Sequence, residues 1–250
     1  NELADTIREA FQIAKSGRPG PVLIDIPKDV QVAKCEFCYK GVVPFVEQHE
    51  ASDEEIDRAV QLINSCERPY IYIGGGAAGA AMTKDIIALA EKIDGYVGCT
   101  FMGLSAMSNS YERFLGMQGM HGAYASSMAN KEADLIIGVG VRFSDRATGN
   151  VEKYAQKAKI IQLDTDLSEI NKNVKVDIGI IGDIVSSFSR ILNRCEPQKR
   201  PEWTALVNEF KARGEEVRRQ EEEAAGDALT RKKIFDVINE VKDADTVIAT

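Results

Sequence analysis

Apolar residues recur along the chain at spacings that alternate between those of a helix and those of a buried strand. The spacing over 1–16 predicts a helix, and the run 22–26 before Pro27 predicts a short buried strand. Further helices are predicted over 52–64, 80–93, 122–132, 150–157, 183–193 and from Thr230 to Val241, and further strands over 69–73, 96–100, 134–139, 159–163 and 246–250. Near-continuous apolar strands between helices indicate a parallel sheet covered on both faces. The predicted fold class is therefore α/β, with a doubly wound parallel sheet.

Breaks in this pattern divide the chain into segments. Residues 34–51 show no clear period and contain Gly41 and Pro44, which favours a linker, and a capping box of Ser52 and Glu55 opens the next unit. That unit is predicted to extend to residue 195. The highly charged segment 196–228 predicts a solvated connecting helix, and 229–250 opens a further unit. Because the chain does not begin with Met and stops on an apolar run, we expect both ends to be cuts through a longer polypeptide.

The composition is that of a globular chain with an acidic balance. Of 250 residues, 44% are hydrophobic and 28% are charged, and the net charge of −8 disfavours nucleic acid or an anionic membrane as the main partner. No apolar run reaches ~18 residues and the first residues lack the features of a secretory signal, so no membrane partner is expected. The five scattered cysteines suit reduced thiols in the cytoplasm, and the C-x-x-C spacing of Cys35 and Cys38 is interpreted as part of the linker.

A glycine-rich turn follows the predicted strand 69–73. The segment 74–79 fits G-x-G-x-x-G, in which glycines allow the backbone to approach a pyrophosphate over a helix N-terminus. An NAD site would also have an acidic residue at the end of the second strand, where this chain has Cys99 and Thr100. A standard NAD site is therefore disfavoured, and a turn that needs its glycines only for packing remains the alternative.

Acidic residues follow the later predicted strands. Asp164 lies at the carboxyl end of a strand, Glu169 follows near a helix start, and Asp183 lies at another strand-to-helix turn. Doubly wound sheets bind ligands at this edge, so these carboxylates could accept hydrogen bonds from an adenosine. A set of helix N-caps explains the same spacing equally well.

Two denser segments, 115–122 and 138–146, lie between these features. The second leaves a predicted strand and carries Arg142 and Arg146, which are placed to reach a phosphate. The first contains His121, around which no nucleophile, acid or second histidine completes a catalytic or metal-binding set. A hydrogen-bonded or capping histidine is the simpler interpretation, and direct ligand contact stays open.

These motifs occur in the order and at the spacings of a known family. The segment 18–30 resembles the end of the pyrimidine-binding domain of thiamine diphosphate enzymes. The segments 74–76, 101–103, 115–122, 141–149 and 164–166 resemble the central domain of acetohydroxyacid synthase (acetolactate synthase), large catalytic subunit, of the biosynthetic FAD-containing type. The resemblance implies the C-terminal piece of a pyrimidine-binding domain over 1–33, a linker over 34–51, a central FAD-binding domain over 52–195, a connecting helix over 196–228 and a truncated diphosphate-binding domain over 229–250.

The resemblance also implies an activity, cofactors and partners. The full-length enzyme condenses two pyruvates, or pyruvate with 2-oxobutyrate, in branched-chain amino acid synthesis. It uses thiamine diphosphate and Mg²⁺, and it binds an FAD that has no net redox role. Its catalytic subunits form a homodimer or tetramer and can pair with a small regulatory subunit.

The site residues implied by the resemblance fall into two sets. The FAD contacts would be Arg18, Gly74, Gly75, Thr100, Phe101, Met102, His121, Gly122, Gly140, Arg142, Asp164, Thr165, Glu169 and Asp183. The wall of the substrate channel would include Lys28, Met120, Asp145 and Arg146.

The chain departs from the family pattern at several places. Ser144 stands where the family usually has a second aspartate, and 105–107 replaces a stretch richer in glycine and proline. The family's catalytic glutamate would precede Asn1, and no GDG motif for the metal and diphosphate occurs in the sequence. We therefore expect no catalytic or metal-binding residue here, and no acetolactate formation by these 250 residues alone.

Two alternatives remain open. Glyoxylate carboligase and pyruvate oxidase share the architecture and the FAD, so substrate preference and flavin reduction in the full-length enzyme would separate them from acetolactate synthase. A stand-alone nucleotide-binding module would bind FAD or NAD without any thiamine domains. The predicted strand 22–26 and the expected cut ends argue against that second alternative.

Overall fold

A six-stranded parallel sheet forms the centre of the described part of the chain. The computed structural model describes residues 2–36, 41, 50–243 and 245–247. The strands are β1 (Pro69–Ile73), β2 (Tyr96–Cys99), β3 (Phe114–Met117), β4 (Leu135–Val139), β5 (Lys159–Asp164) and β6 (Ile178–Ile181). Their order is β3-β2-β1-β4-β5-β6, and all neighbours run parallel. This order confirms the predicted doubly wound α/β fold, in which the chain reverses its winding direction between β1 and β4.

Helices precede, connect and follow these strands. They are α1 (Leu3–Lys15), α2 (Lys28–Val32), α3 (Asp53–Ser65), α4 (Gly75–Gly79), α5 (Thr83–Lys92), α6 (Tyr124–Glu132), α7 (Asp145–Thr148), α8 (Ile184–Arg194), α9 (Pro201–Ala225) and α10 (Arg231–Val241). Short 3₁₀ helices cover Phe101–Ala106, Val151–Lys153 and Leu167–Glu169. None of the helices in the described ranges is both long and apolar enough to cross a membrane.

The two faces of the sheet bury separate apolar clusters. On one face Ile71 and Ile137 pack against α3, α5 and α8, and on the other Tyr70 and Ile136 pack against α6 and α9. Every residue of β1, β2 and β4 is buried. Burial on both faces explains why these strands are near-continuous apolar runs without polar alternation.

The helix start predicted at residue 52 is confirmed in atomic detail. The Ser52 Oγ accepts a hydrogen bond from the Glu55 amide at 3.2 Å, and the Ser52 amide donates to a Glu55 carboxylate oxygen at 2.8 Å. Both halves of the capping box are therefore present, and α3 begins at Asp53.

Three other predictions differ from the structure. The predicted strand over 22–26 is wrong, because no described strand lies beside it and Leu23 is 89% exposed. The predicted helix over 150–157 is only a 3₁₀ turn, which is followed by a left-handed residue at Ala155 with φ of 49°. In the predicted final strand, Thr246 and Val247 are not in a strand and 248–250 lie outside the described residues, as does Cys38 of the C-x-x-C pair.

The helix predicted within 196–228 is present, as α9, but it is not fully solvated. Trp203, Val207 and Phe210 of α9 are buried against the sheet and α6. The Trp203 indole N–H donates to the Pro69 carbonyl at 3.1 Å, which attaches the helix to the start of β1. The first half of α9 therefore belongs to the core of this domain.

Candidate functional site

A large cavity opens at the carboxyl edge of the sheet, where β1 and β4 end. Its volume is about 1040 Å³, and we refer to it as the switch-point cavity. Its walls come from six segments at the ends of the six strands and from the turn after α1. The lining residues are Gly17, Arg18, Pro19, Gly75, Gly76, Gly79, Ala80, Thr100, Phe101, Met102, Met117, Gln118, Met120, His121, Gly140, Val141, Arg142, Phe143, Ser144, Arg146, Ala147, Asp164, Thr165, Glu169, Asp183, Ile184 and Val185.

Glycines let the ends of β1 and β4 approach each other at the floor of this cavity. The Gly76 amide donates to the Gly140 carbonyl at 3.2 Å, and Gly140 has φ of 57°. A Cβ on Gly140 would lie 2.6 Å from the Gly76 Cα, and a Cβ on Gly74 would lie 2.1 Å from the Gly140 carbonyl oxygen. Packing therefore explains Gly74 and Gly76, and three of the glycines, Gly75, Gly76 and Gly79, line the cavity and leave backbone open to a ligand.

Apolar side chains project from the segment after β2 and the loop after β3. Thr100 caps the 3₁₀ helix 101–106 by accepting a hydrogen bond from the Gly103 amide at 3.2 Å. The next two residues, Phe101 and Met102, are 70% and 69% exposed, and Met120 is 69% exposed. All three line the cavity, so it offers aromatic and thioether surface to a flat ligand.

Positively charged groups occupy part of the cavity wall. Arg18, Arg142 and Arg146 are exposed and line the cavity, as does His121. The His121 ring makes no hydrogen bond to any described residue, so the capping interpretation is not supported there. Three guanidinium groups with free access can hold an anionic group such as a pyrophosphate through charge-assisted hydrogen bonds.

Carboxylates line the cavity beyond the end of β5. Glu169 is only 7% exposed, and one of its oxygens lies 2.9 Å from the Lys172 Nζ and 3.9 Å from the Arg142 Nε. The other oxygen, Oε2, is buried with no hydrogen-bond partner among the described residues. A buried carboxylate oxygen without a donor points to a ligand that supplies one.

The carboxylates of Asp164 and Asp183 lie in different environments. Burial, together with the neighbouring Glu169 carboxylate, raises the pKa of Asp164, against two backbone N–H groups that lower it. Asp183 accepts a hydrogen bond from the Ser186 amide at 2.6 Å and is the N-cap of α8. The N-cap alternative therefore holds for Asp183 but not for Glu169.

The structure gathers most of the residues that the resemblance implied. Twelve of the implied FAD contacts line the cavity: Arg18, Gly75, Thr100, Phe101, Met102, His121, Gly140, Arg142, Asp164, Thr165, Glu169 and Asp183. Gly74 and Gly122 do not, because both pack against backbone of neighbouring segments. Two of the implied channel residues, Met120 and Arg146, also line the cavity. The other two do not line it: Lys28 begins α2, and the Asp145 carboxylate accepts a hydrogen bond from the Arg146 amide at 2.8 Å.

Several lining residues were not singled out from the sequence. Four of them lie within the two dense segments: Met117, Gln118, Phe143 and Ser144. No individual role was assigned to the first three. Recognising 114–117 as a strand would have placed Gln118 directly at its carboxyl end. Gly116 interrupts that strand, which is only four residues long, so its apolar pattern is too short to predict a strand.

Comparison with known proteins identifies one family and a consistent set of relatives. Residues 56–191, more than half of the chain, match the thiamine pyrophosphate enzyme, central domain. The chain is 34% identical to the acetolactate synthase large subunit of Corynebacterium glutamicum, over 99% of this chain and 40% of that protein. It is 35% identical to the probable acetolactate synthase large subunit of Methanocaldococcus jannaschii, over all of this chain and 44% of the relative.

A third relative agrees with these two. The chain is 39% identical to the acetolactate synthase isozyme 1 large subunit of Escherichia coli K12, over 82% of this chain and 36% of that protein. In each case the chain spans roughly two fifths of the length of the curated relative that it matches.

Proposed function

We propose that this chain, which belongs to the family of the thiamine pyrophosphate enzyme central domain, binds FAD in the switch-point cavity as part of an acetolactate synthase large subunit. The observation that carries the proposal is the distribution of charge around the cavity. Guanidinium groups of Arg18, Arg142 and Arg146 and carboxylates of Asp164 and Glu169 all line the cavity, and the Arg142 Nε lies 3.9 Å from a Glu169 oxygen. A dinucleotide needs both, because its pyrophosphate is anionic and its ribose hydroxyls donate hydrogen bonds.

The residues present fit FAD in size and in chemistry. A volume of about 1040 Å³ is at the upper end of ordinary ligand pockets, as expected for a ligand larger than most drugs. The unpartnered Oε2 of Glu169 would accept a hydroxyl or amino proton of the adenosine, and Asp164 lies beside it. Phe101, Met102 and Met120 would contact the flavin ring system, and the arginines would hold the pyrophosphate.

The role of FAD follows from the family that the sequence resembles. There FAD has no net redox role, so when bound it supplies a fixed surface inside the protein. The residues of this chain then bind and orient: the arginines neutralise the phosphates, and Glu169 and Asp164 hold the adenosine. Burial of the two carboxylates reduces their hydration, which strengthens their hydrogen bonds to a bound ribose.

The proposal extends to the whole enzyme of which this domain would be part. The complete polypeptide would use thiamine diphosphate and Mg²⁺ to condense two pyruvates, or pyruvate with 2-oxobutyrate. Its catalytic subunits would form a homodimer or tetramer, and the relatives' description as large subunits supports a small regulatory partner. Comparing pyruvate with glyoxylate as substrates of that polypeptide tests this extension, because preference for glyoxylate would favour a glyoxylate carboligase instead.

The thiols of the chain support a reducing compartment, which we infer to be the cytoplasm. Cys35, Cys66, Cys99 and Cys195 are all free. Burial raises the pKa of both Cys66 and Cys99 to about 12, so these thiols stay protonated and unreactive at neutral pH.

An equilibrium titration of FAD, followed by quenching of flavin fluorescence, tests the proposed site. Replacing Arg142 by Ala removes a charge-assisted hydrogen bond to the pyrophosphate. We expect the affinity to fall roughly tenfold or more, from a loss of about 1.5–3 kcal/mol. Arg219→Ala, an exposed arginine on α9 remote in sequence from the cavity, is the matched control and should bind as the wild type does. Equal affinity in all three proteins would refute the role of Arg142, and tighter binding of NAD than FAD would refute the choice of cofactor.

A further inference from the structure

Two loops that arrive from opposite sides of β1 meet along one wall of the switch-point cavity. The loop after β3 carries Met120 and His121, and the loop after β4 carries Arg142 and Arg146; we call their line of contact the seam. The Met120 amide donates to the Arg146 carbonyl at 3.3 Å. A Cβ on Gly119, which has φ of 112°, would lie 2.5 Å from the same carbonyl oxygen. The two backbones therefore touch, but among the described residues a single long backbone hydrogen bond joins them here.

Gln118 supplies the side-chain link across the seam. Its Nε2 donates to the Ala147 carbonyl at 3.3 Å and lies 3.4 Å from the Tyr154 hydroxyl, while its Oε1 accepts from the Tyr70 hydroxyl at 3.2 Å. Because the Ala147 carbonyl can only accept, the amide must present Nε2 to it. Gln118 is 6% exposed and lines the cavity, so it is held between the cavity and the core.

A buried polar network anchors Gln118 to the sheet. Tyr70 lies on the central strand β1, is fully buried, and its hydroxyl lies 2.8 Å from the Ser126 Oγ. Gly98 on the neighbouring strand leaves the room, since a Cβ there would lie 1.7 Å from the Tyr70 hydroxyl. Asn130 of α6 donates to the Tyr154 hydroxyl at 3.1 Å. Each group in the chain from β1 through Gln118 to Ala147 therefore has a fixed partner.

We infer that Gln118 is a positioning residue that locks the loop after β3 to the loop after β4, and thereby fixes the separation of Met120 and His121 from Arg142 and Arg146. The inference rests on the proposed function, in which these four residues contact one FAD. Anion and ring contacts on two independent loops bind one ligand well only if both loops are held in place before binding. Since the two loops lie on different sides of β1, the sheet alone does not fix their separation.

Hydrogen exchange and FAD titration of the same variants test this inference. Gln118→Met keeps the length of the side chain but removes the donor to Ala147 and the acceptor for Tyr70. We expect the Met120 amide to exchange roughly tenfold faster, with amides of β1 and β5 unchanged, and FAD affinity to fall roughly tenfold. Ser126→Ala is the matched control, because it removes the contact with the Tyr70 hydroxyl and the hydrogen bond to the Gly116 carbonyl of β3, but no bond to the Ala147 segment. Its Met120 amide and its FAD affinity should stay close to those of the wild type.

The outcomes separate this inference from the proposed function. If the Met120 amide exchanges at the wild-type rate in Gln118→Met, or equally faster in Ser126→Ala, then Gln118 does not link the two loops, even if the wild type binds FAD. Accelerated exchange with undiminished FAD affinity overturns the role of Gln118 in binding. If the Met120 amide exchanges faster in Gln118→Met but the wild type binds no FAD, the link between the loops is supported and the proposed cofactor is refuted. If Gln118→Met does not fold, Gln118→Leu takes its place, since its smaller apolar side chain also cannot donate to Ala147.

Discussion

Gly140 illustrates how a single residue shapes the cavity floor. Its amide donates to the Leu163 carbonyl at 2.9 Å, which continues the β4–β5 ladder by one residue, and its φ of 57° then turns the chain away from the sheet. The same residue contacts the backbone of Gly76. No residue with a Cβ satisfies both the left-handed conformation and this contact without strain.

Gly140→Ala should therefore destabilise the protein markedly. The methyl group would lie 2.6 Å from the Gly76 Cα in a left-handed conformation, so we expect a loss of roughly 2–4 kcal/mol in the free energy of unfolding, measured by urea denaturation. Gly79→Ala is the control, because a Cβ there has no atom within 4 Å and its φ is not positive. Equal stability of the Gly140 variant and the wild type would contradict the close approach of the two strand ends.

The sequence predicted the charged site residues better than the polar one that links them. Arg142 and Asp164 follow strands whose apolar runs are long and clear, so their place at the carboxyl edge could be predicted. Gln118 follows β3, which has four residues and an internal glycine, and its bonds go to Ala147 and Tyr154 more than 25 positions away. Only the tertiary structure brings those groups together.

At the scale of elements, long apolar strands and capped helices were predicted correctly, whereas strands interrupted by glycine were poorly predicted and one unpaired segment was wrongly predicted as a strand. The strand β6 has four residues with Gly179 inside, and the sequence indicated it only through the strand-to-helix turn at Asp183, without bounds, whereas β3 escaped prediction. The segment 22–26 has a strand-like sequence, but a strand forms only with a neighbour to pair with, and no described strand lies beside it. The apolar positions of α9 lie at 203, 207 and 210, a helical spacing hidden within a highly charged segment.

One carboxylate connects three of these elements. Asp94, at the end of α5, accepts from the Arg113 guanidinium before β3 and from the Arg200 amide before α9, both at 2.6 Å. Burial opposes its ionisation, but these donors outweigh burial and lower the pKa of Asp94. The folded state therefore favours the ionised carboxylate. Its contribution to stability is present above the pKa of the unfolded chain, about 4, and is lost as the pH falls through the lower pKa of the folded state.

Asp94→Asn should show this pH dependence. Asn tolerates the left-handed backbone at this position, where φ is 52°, so the change removes the charge and one of the two acceptor oxygens without straining the backbone. At pH 7 we expect a loss of roughly 1–3 kcal/mol in the free energy of unfolding, and this difference from wild type should shrink as the pH falls from 5 to 3. The exposed Asp227→Asn should differ little from wild type throughout this range. A difference for Asp94→Asn that does not change with pH would rule out the ionised carboxylate as its source.

At the scale of the whole molecule, the order of the strands places the site. Since β1 and β4 are neighbours and their connections leave in opposite directions, a crevice must form between the following segments. The alternation of helices and buried strands predicted this sheet and the edge at which the switch-point cavity lies. The sequence pattern did not predict the packing of α9 on the sheet or the contact between the loops after β3 and β4, because both depend on contacts distant in the sequence.

A crystal structure of the chain soaked with FAD tests the central claim most directly. We expect density for FAD extended along the carboxyl edge of the sheet, with its pyrophosphate within hydrogen-bond distance of the Arg142 guanidinium and its adenosine facing Glu169 and Asp164. A cavity closed by the protein's own side chains, with Arg142 and Asp164 turned away from it, or FAD bound at a different surface, would contradict the account.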